Sequence, residues 1–401
     1  MTDFAVLRAP SQVLFGCGLA AAAGEVAAEH GRRALVITDP VIARTPGFTT
    51  VLDSLGALDV TIFSDAAVDV PRSAVDAALA RGETGRADVI VAVGGGSVID
   101  LAKVTALQLT HGAPLENYYG VGSVPGPIMP LIALPTTAGT GSEATPVAVV
   151  TDPGTDMKIG VASRHLIPRH AICDPLLTVA APRVVTAHAG IDALSHAVES
   201  YMAARQEPSP ELILGRPQVG KNLLSDVLAI TAARHLLDNL AQAVEDGSDV
   251  SARTGMLYGS LLAGIAFGNS GVGAAHALQF VVGAATHTSH GLGTGLLLPY
   301  VMEYNRPARP EGIAQLSALA GGDAVTEIHA LGLRIGLPAS LAEIGVERDQ
   351  LRAMAEAAAG IKRLVDNSPR PLDVDALEAI LDAAWHGDPR RLSSDGVEVT
   401  A

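Results

Sequence analysis

Aromatic residues are scarce in this sequence: one Trp, six Tyr and six Phe among 401 residues. Few rings remain on which sugars or unpaired bases could stack, so carbohydrate and single-stranded nucleic-acid readers are poor candidates. Positive charge is also short. Lys and Arg number 27 against 42 Asp and Glu, for a net charge of −15. No basic run is present, so a phosphate backbone finds no electrostatic partner and no nucleic-acid function is expected. There are two cysteines, Cys17 and Cys173. They are too far apart for metal or redox spacing and read as small buried apolar residues in a reduced cytoplasm. The opening "MTDFAVLRAPSQVLFG" has no basic segment before an apolar core, so no secretory signal is expected.

The most pronounced deficit lies between Thr254 and Met302, where no Asp, Glu, Lys or Arg occurs. Gly-rich segments, Asn269, Gln279, His276, His287 and His290 interrupt this stretch, which excludes a continuous apolar membrane span. It reads as the interior of a large helical domain, and no membrane partner is expected.

What is abundant is small and apolar. Hydrophobic residues make up 48% of the chain and charged residues 17%, enough for large cores, and the length suits about two domains. In the first half, short β-branched runs alternate with helical spacing. "RALVITD" (33–39), "DVTIF" (59–63), "ADVIVAV" (87–93) and "IMPLIALP" (128–135) read as strands. "LAAAAGEVAAEHG" and "RSAVDAALARG" read as helices between them. This predicts a mainly parallel sheet covered by helices. After about Pro182 the pattern is helical throughout, in "IDALSHAVESYMAA", "LSDVLAITAARHLLDNLAQAV", "RTGMLYGSLLAGIAF" and "DALEAILDAAW". The expected division is an α/β Rossmann-like domain over residues 1–182 and an all-α domain over 183–401. The ends "MTDF" and "LSSDGVEVTA" are expected to be loose.

"VIVAVGGGSVIDLAKVTA" is a strand, a turn of Gly94, Gly95, Gly96 and Ser97, and a helix. Glycines let the backbone approach a ligand closely, and a helix N-terminus presents free N–H groups and a positive dipole end. That suits a pyrophosphate, although an ordinary tight turn also uses glycine. Asp39 ends the strand "ALVITD", where a carboxylate can accept ribose hydroxyls and repel a 2′-phosphate, which favours NAD over NADP. A turn or capping role before Pro40 competes with that assignment. "LPTTAGTGSEATPVAVVTD" (134–152) places Thr136, Thr137 and Thr140 among small residues that could wrap a cofactor. "GRPQVGKN" (215–222) imitates a P-loop but ends in Asn where Ser or Thr should hold Mg²⁺, so it is set aside.

"GIDALSHAVESY" puts Asp192 and His196 one helical turn apart on one face, a spacing suited to a divalent transition metal. The uncharged stretch offers further nitrogen donors in His276 and His290. On one straight helix these would lie about 21 Å apart, so they can share a metal only if the chain turns. Gly283 and "THTSHG" are the expected turn, with His290 starting the next helix.

Taken together, the chain resembles the iron-containing (group III) alcohol dehydrogenases over nearly its whole length. The resemblance rests on "FGCG", "GGGSVIDLAK" (94–103), "PTTAGTGSE" (135–143), "DPLLT" (174–178), "GIDALSHAVESY" (190–201), "HALQF" and "HGLGTGLLLPYV" (290–301). It implies the dehydroquinate synthase-like fold, with NAD(P) and a divalent metal, Fe²⁺ or Zn²⁺, between the two domains. It implies the ligand set Asp192, His196, His276 and His290. It assigns the glycine turn with Asp100 to the pyrophosphate loop, Thr136, Thr137 and Thr140 to cofactor contacts, and Lys158 to the nicotinamide. The implied reaction is hydride transfer between a small alcohol or aldehyde and the nicotinamide, with the substrate oxygen on the metal acting as a Lewis acid. A homodimer or higher homo-oligomer is implied as well.

Two departures stand out. Many members carry a histidine four residues after the third ligand, where this chain has Phe280, and an early Asn-Pro pair reads Asp69-Val70-Pro71. With Phe280 in that place, His287 becomes the candidate for the proton relay, against a plain loop role. Three rivals share the chemistry in part: a hydroxyacid–oxoacid transhydrogenase, a dehydroquinate synthase-type lyase, and a non-catalytic metal-stabilised binding protein.

Overall fold

The computed structural model describes residues 3–152, 154 and 158–393, so most of the C-terminal "LSSDGVEVTA" lies outside the described residues. Six strands form one parallel sheet: β1 (Gln12–Phe15), β2 (Arg33–Ile37), β3 (Asp59–Phe63), β4 (Val89–Gly94), β6 (Leu131–Pro135) and β9 (His170–Cys173). Their order is β1-β9-β6-β4-β2-β3. Three more, β5 (Gly120–Val121), β7 (Val147–Thr151) and β8 (Lys158–Ala162), form a small second sheet in which β7 and β8 pair antiparallel.

The central strands are continuous apolar runs because helices cover both faces of the sheet. Every residue of β4 and β6 is buried. Packing lies on one side around Leu35, Ile37, Ile99 and Leu107, and on the other around Val36, Val91, Ile132 and Val51. The four strands read from the sequence are present: β3 matches its expected range, β4 is shifted to 89–94, and two are trimmed. β2 stops at Ile37 rather than Asp39, and β6 begins at Leu131 rather than residue 128. The expected helix over 19–31 is shorter: a 3₁₀ turn at Leu19–Ala22, then a helix at Ala23–Ala28.

Strand order sets the position of the ligand crevice. The chain leaves β2 toward β3 on one side and leaves β4 toward β6 on the other. β2 and β4 are neighbours, with Ile37 opposite Ala92, so their C-terminal ends form the switch point of the sheet, where open α/β sheets bind ligands. Asp39 follows one of these strands and the Gly94–Ser97 turn follows the other.

From Arg183 onward the described residues are helical. The Arg183–Met202 helix packs against the Leu223–Glu245 and Val250–Ser270 helices through Leu194, Ala197, Leu236, Leu240 and Met256. The two halves meet without side chains at one point. Gly141 has φ +59°, and a Cβ there would lie 2.5 Å from the Cα of Gly264. Glycine at both positions therefore lets the threonine-rich loop sit directly on the Val250–Ser270 helix. No single helix among the described residues is long and apolar enough to cross a membrane. The Val250–Ser270 and Ala274–Thr286 helices reach that composition only as a pair bent by 101°.

The rejected P-loop has a structural explanation. Gly215 ends a short helix, Pro210–Gly215, and Lys221 Nζ donates to the Tyr201 carbonyl at 2.7 Å and to Asp226 at 2.6 Å. Asn222 caps the next helix by accepting from the Ser225 N–H. Cys17 departs from expectation, being exposed where Cys173 is buried; neither forms a disulfide.

Candidate metal and cofactor site

Three helices bring the four expected donors together. Asp192 and His196 stand one turn apart on the Arg183–Met202 helix, His276 is in the first turn of Ala274–Thr286, and His290 opens His290–Asn305. The reversal between the last two falls at residues 287–289. Gly283 instead lies inside the helix, and its carbonyl accepts from the His287 N–H at 2.9 Å. His287 itself ends that helix in the left-handed conformation, at φ 56°.

Asp192 is the centre of the cluster. Its carboxylate lies 4.0 Å from His196 Nε2, 3.8 Å from His276 Nε2 and 3.7 Å from His290 Nε2, and all four donor atoms lie within 4.8 Å of one another. Donors bound near 2.1 Å to one tetrahedral ion would be about 3.4 Å apart, so these side chains fit a single metal ion with little movement. The buried His276 Nε2 makes no hydrogen bond, a cost that ligation of a metal would remove.

A second layer of contacts fixes these donors. Glu199 Oε2 accepts from His276 Nδ1 at 2.5 Å, which leaves Nε2 as the free lone pair. The same carboxylate accepts from the N–H groups of Gly273 and Ala275 at 3.0 and 2.7 Å, capping the helix that carries His276. His196 Nδ1 faces the Gly139 carbonyl at 3.3 Å, and Thr294 donates to Asp192 at 2.8 Å. Burial drives the His196 pKa down to about 4, so its imidazole is neutral at pH 7, as a ligand must be. Burial pushes the Asp192 carboxyl up, but the three imidazoles and Thr294 outweigh it and hold it below the usual range.

The four donors open into a cavity of about 270 Å³ that runs toward the switch point of the sheet. Gly96, Ser97, Asp100, Thr140 and Lys158 also line it. The helix beginning at Gly96 has no side chain capping its first turn; the Val98 and Ile99 N–H groups donate to the Gly95 carbonyl, which leaves those of Gly96 and Ser97 for an anion. Gly96 is also needed for packing, since a Cβ there would come within 2.6 Å of Thr140.

Of the other expected cofactor residues, Asp39, Gly94, Gly95, Thr136 and Thr137 lie outside this lining, while Asp100 and Lys158 are held in it by their own contacts. Thr136 is buried and donates its N–H to Gly94, and Thr137 packs on Gly95. Asp39 Oδ1 accepts from the N–H groups of Val41 and Ile42 at 2.8 and 2.9 Å, so it also makes the competing turn contact. Asp100 is an anchor: it accepts from Ser142 at 2.5 Å and from the Val149 N–H at 2.9 Å. Lys158 is paired with Asp69 at 2.7 Å. Asp69 and Val70 both have left-handed backbones, φ 64° and 48°, a strained turn held by Thr151, which bonds the carbonyls of both. His287 is exposed and does not line the cavity, whereas Phe280 does, 6.0 Å between ring centroids from His290.

Several residues had not been singled out from the sequence. Glu199 follows His196 by three positions and shares its helix face, a readable signal. Lys103 is fully buried, donating to Ser142, to the Thr145 hydroxyl and carbonyl, and to the Val147 carbonyl, and so ties the Gly96–His111 helix to the threonine loop. Gln218 and Arg363 reach the cavity from segments with no local motif.

Comparison with known proteins agrees with this geometry. The family description "Iron-containing alcohol dehydrogenase" matches residues 10–175, and its C-terminal counterpart matches residues 186–385. A long-chain-alcohol dehydrogenase of Geobacillus thermodenitrificans is 34% identical over 90% of this chain and 92% of its own. An NAD-dependent methanol dehydrogenase of Bacillus methanolicus is 32% identical over 89% and 93%. The crystal structure of a 1,3-propanediol oxidoreductase superposes with a TM-score of 0.88 at 32% identity, covering 96% of this chain and all of that one. The chain belongs to the iron-containing alcohol dehydrogenase family, whose members are iron- and NAD(P)-dependent oxidoreductases, and it is an enzyme of that kind.

Proposed function

We propose that this chain transfers hydride between a small alcohol or aldehyde and NAD(H) in the cavity between the sheet and the helical half. The observation that carries this reading is the placement of four metal donors, one with an orphaned lone pair, in the same cavity as the uncapped helix at Gly96. When bound, the metal supplies a Lewis acid that polarises the substrate oxygen. Asp192, His196, His276 and His290 would hold it, and Glu199 and Gly139 keep two of the imidazoles in the tautomer that ligation needs. Gly96 and Ser97 receive the pyrophosphate on free N–H groups, and Asp39 at the switch point selects NAD. Thr136 and Thr137 shape the loop against the glycine turn, and Thr140 meets the cofactor directly. Lys158, steadied by Asp69, is the polar group beside the nicotinamide. Val147, Val149, Phe267 and Phe280 form an apolar wall that excludes water and strengthens local electrostatics.

The accompanying readings are a domain boundary at 182/183, a cytoplasmic location, and a homodimer or higher homo-oligomer. Two unpaired cysteines support a reducing compartment. Exposed Val60 and Ile62 on the edge strand β3 support self-association. The deciding experiment follows NADH absorbance over a panel of alcohols, diols, hydroxy acids and aldehydes, on protein reconstituted separately with Fe²⁺ and Zn²⁺. Turnover that depends on the metal and on added NAD(H) supports the reading. Protein that retains NAD and cycles without added cofactor would instead mark a hydroxyacid–oxoacid transhydrogenase.

A further inference from the structure

Two cations line the cavity, and only one is neutralised. Lys158 is paired with Asp69. Arg363, on the short helix Lys362–Val365, donates from Nη1 to Gln218 Oε1 at 3.0 Å and has no ion pair or other hydrogen bond among the described residues. Arg363 is an exposed residue at the cavity wall, and the four N–H donors that Gln218 does not take are open to solvent and to a ligand in the cavity. No carboxylate in the lining answers it. Asp69 serves Lys158, Asp100 serves Ser142 and Val149, and Asp192 belongs to the metal donors. Gln218 is itself oriented, its Nε2 donating to the Phe267 carbonyl at 3.1 Å, which turns Oε1 toward Arg363. Around this pair the wall is apolar: Phe267, Val272, Phe280 and Leu364. Arg363 is also close enough for its charge to act on His276.

We propose that Arg363, positioned by Gln218, is the docking group for a carboxylate or sulfonate at the end of the substrate remote from the reacting carbon. The substrate class is then short hydroxy acids and hydroxy sulfonates with their semialdehydes, in preference to plain alcohols. This rests on the reading above that the cavity is the hydride-transfer site. In the oxidation direction the carbinol C–H bond breaks and its electron pair passes with the hydrogen to the nicotinamide. The hydroxyl proton leaves to solvent, the carbinol carbon is oxidised to the aldehyde, NAD⁺ is reduced, and the anionic group is unchanged. A planar guanidinium binds such oxyanions in bidentate fashion, which fixes the far end of the substrate while the metal site fixes the near end.

The test compares matched aldehydes on the metal-loaded enzyme with NADH: succinic semialdehyde against butanal, and sulfoacetaldehyde against propanal. The wild type is expected to favour one of the anions in kcat/KM. Arg363→Met is expected to lower that anion-to-neutral ratio roughly 10- to 100-fold, mostly through KM, with part of the ratio retained in Arg363→Lys. Gln218→Leu should lower it less. Calorimetry with 4-hydroxybutanoate and NADH-loaded protein gives a second readout, in which binding present in the wild type is lost in Arg363→Met. Which of the two anions is favoured identifies the substrate branch. An equal ratio in wild type and Arg363→Met, or no preference for either anion, overturns the proposal. Absence of turnover with every aldehyde would overturn the hydride-transfer reading instead, while the calorimetric arm still decides whether Arg363 binds an anion.

Discussion

His276 donates from Nδ1 to Glu199 Oε2, and that carboxylate also caps the helix on which His276 stands. One buried acid therefore sets both the tautomer of a metal ligand and the direction of its helix. Burial alone would raise the Glu199 pKa, but His276 and the two backbone N–H groups outweigh it and keep the group ionised. Glu199→Gln is expected to weaken metal affinity roughly 10- to 100-fold. Competition with a chromogenic chelator measures this, and wild-type affinity in the variant would show that the contact is incidental.

His287 should prove dispensable for turnover. A relay residue would cost roughly 100-fold or more on removal, yet this side chain is exposed at the end of a helix and absent from the cavity wall. Its left-handed backbone is a position where glycine ends helices without strain. His287→Gly is expected to stabilise the fold by about 0.5–1 kcal/mol and to preserve the pH–rate profile. Thermal unfolding and steady-state kinetics check the two halves of this expectation. A large fall in kcat would restore the relay.

Asp39 selects the cofactor in the proposed reading. Its Oδ1 is occupied by Val41 and Ile42, while Oδ2 makes no hydrogen bond among the described residues and is available for ribose. Asp39→Ala is expected to shift the NADP-to-NAD ratio of kcat/KM upward by roughly tenfold or more, because like charges no longer meet. An unchanged ratio would reduce Asp39 to a turn residue.

Glu143 gives a pH dependence of known sign. Burial raises its pKa from 4.5 to about 7, and Oε1 has no hydrogen-bond partner. The folded state therefore binds more protons than the unfolded chain between those values, and stability falls as pH rises from about 4.5 to about 7. Lys103, lowered by burial to about 8, acts later, adding stability as pH rises from about 8 toward 10.5. Glu143→Gln is expected to remove the decline on the acid side, by up to roughly 3 kcal/mol. Urea midpoints across pH 4.5–7.5 for both proteins would show whether the slope disappears.

Much of this site could be read from local pattern. The metal donors were legible because Asp192 and His196 sit one turn apart and the uncharged stretch left few other tasks for histidine. The central strands were legible because burial on both faces makes them continuous apolar runs. β1 and β9 were not: each has four residues, and their pairing joins Gln12 to His170, a contact that no local window contains. The hairpin of β7 and β8 was missed for a related reason, since it packs beside the main sheet rather than within the alternation. The expected turn at Gly283 and "THTSHG" is right in its second half: the helix runs through Gly283 to Thr286, and the reversal falls at residues 287–289, within "THTSHG". Arg363 was invisible because its significance lies in lacking a partner, and partners are set by the fold.

The 203–222 segment bears on the far end of the pocket. It lies between two long helices, contributes no metal donor and no part of the glycine turn, and delivers one side chain, Gln218, to the cavity. On the proposed reading, a change in this segment alters how Arg363 is oriented at the far end of the pocket, while the metal donors and the glycine turn, which lie on other elements, keep their places.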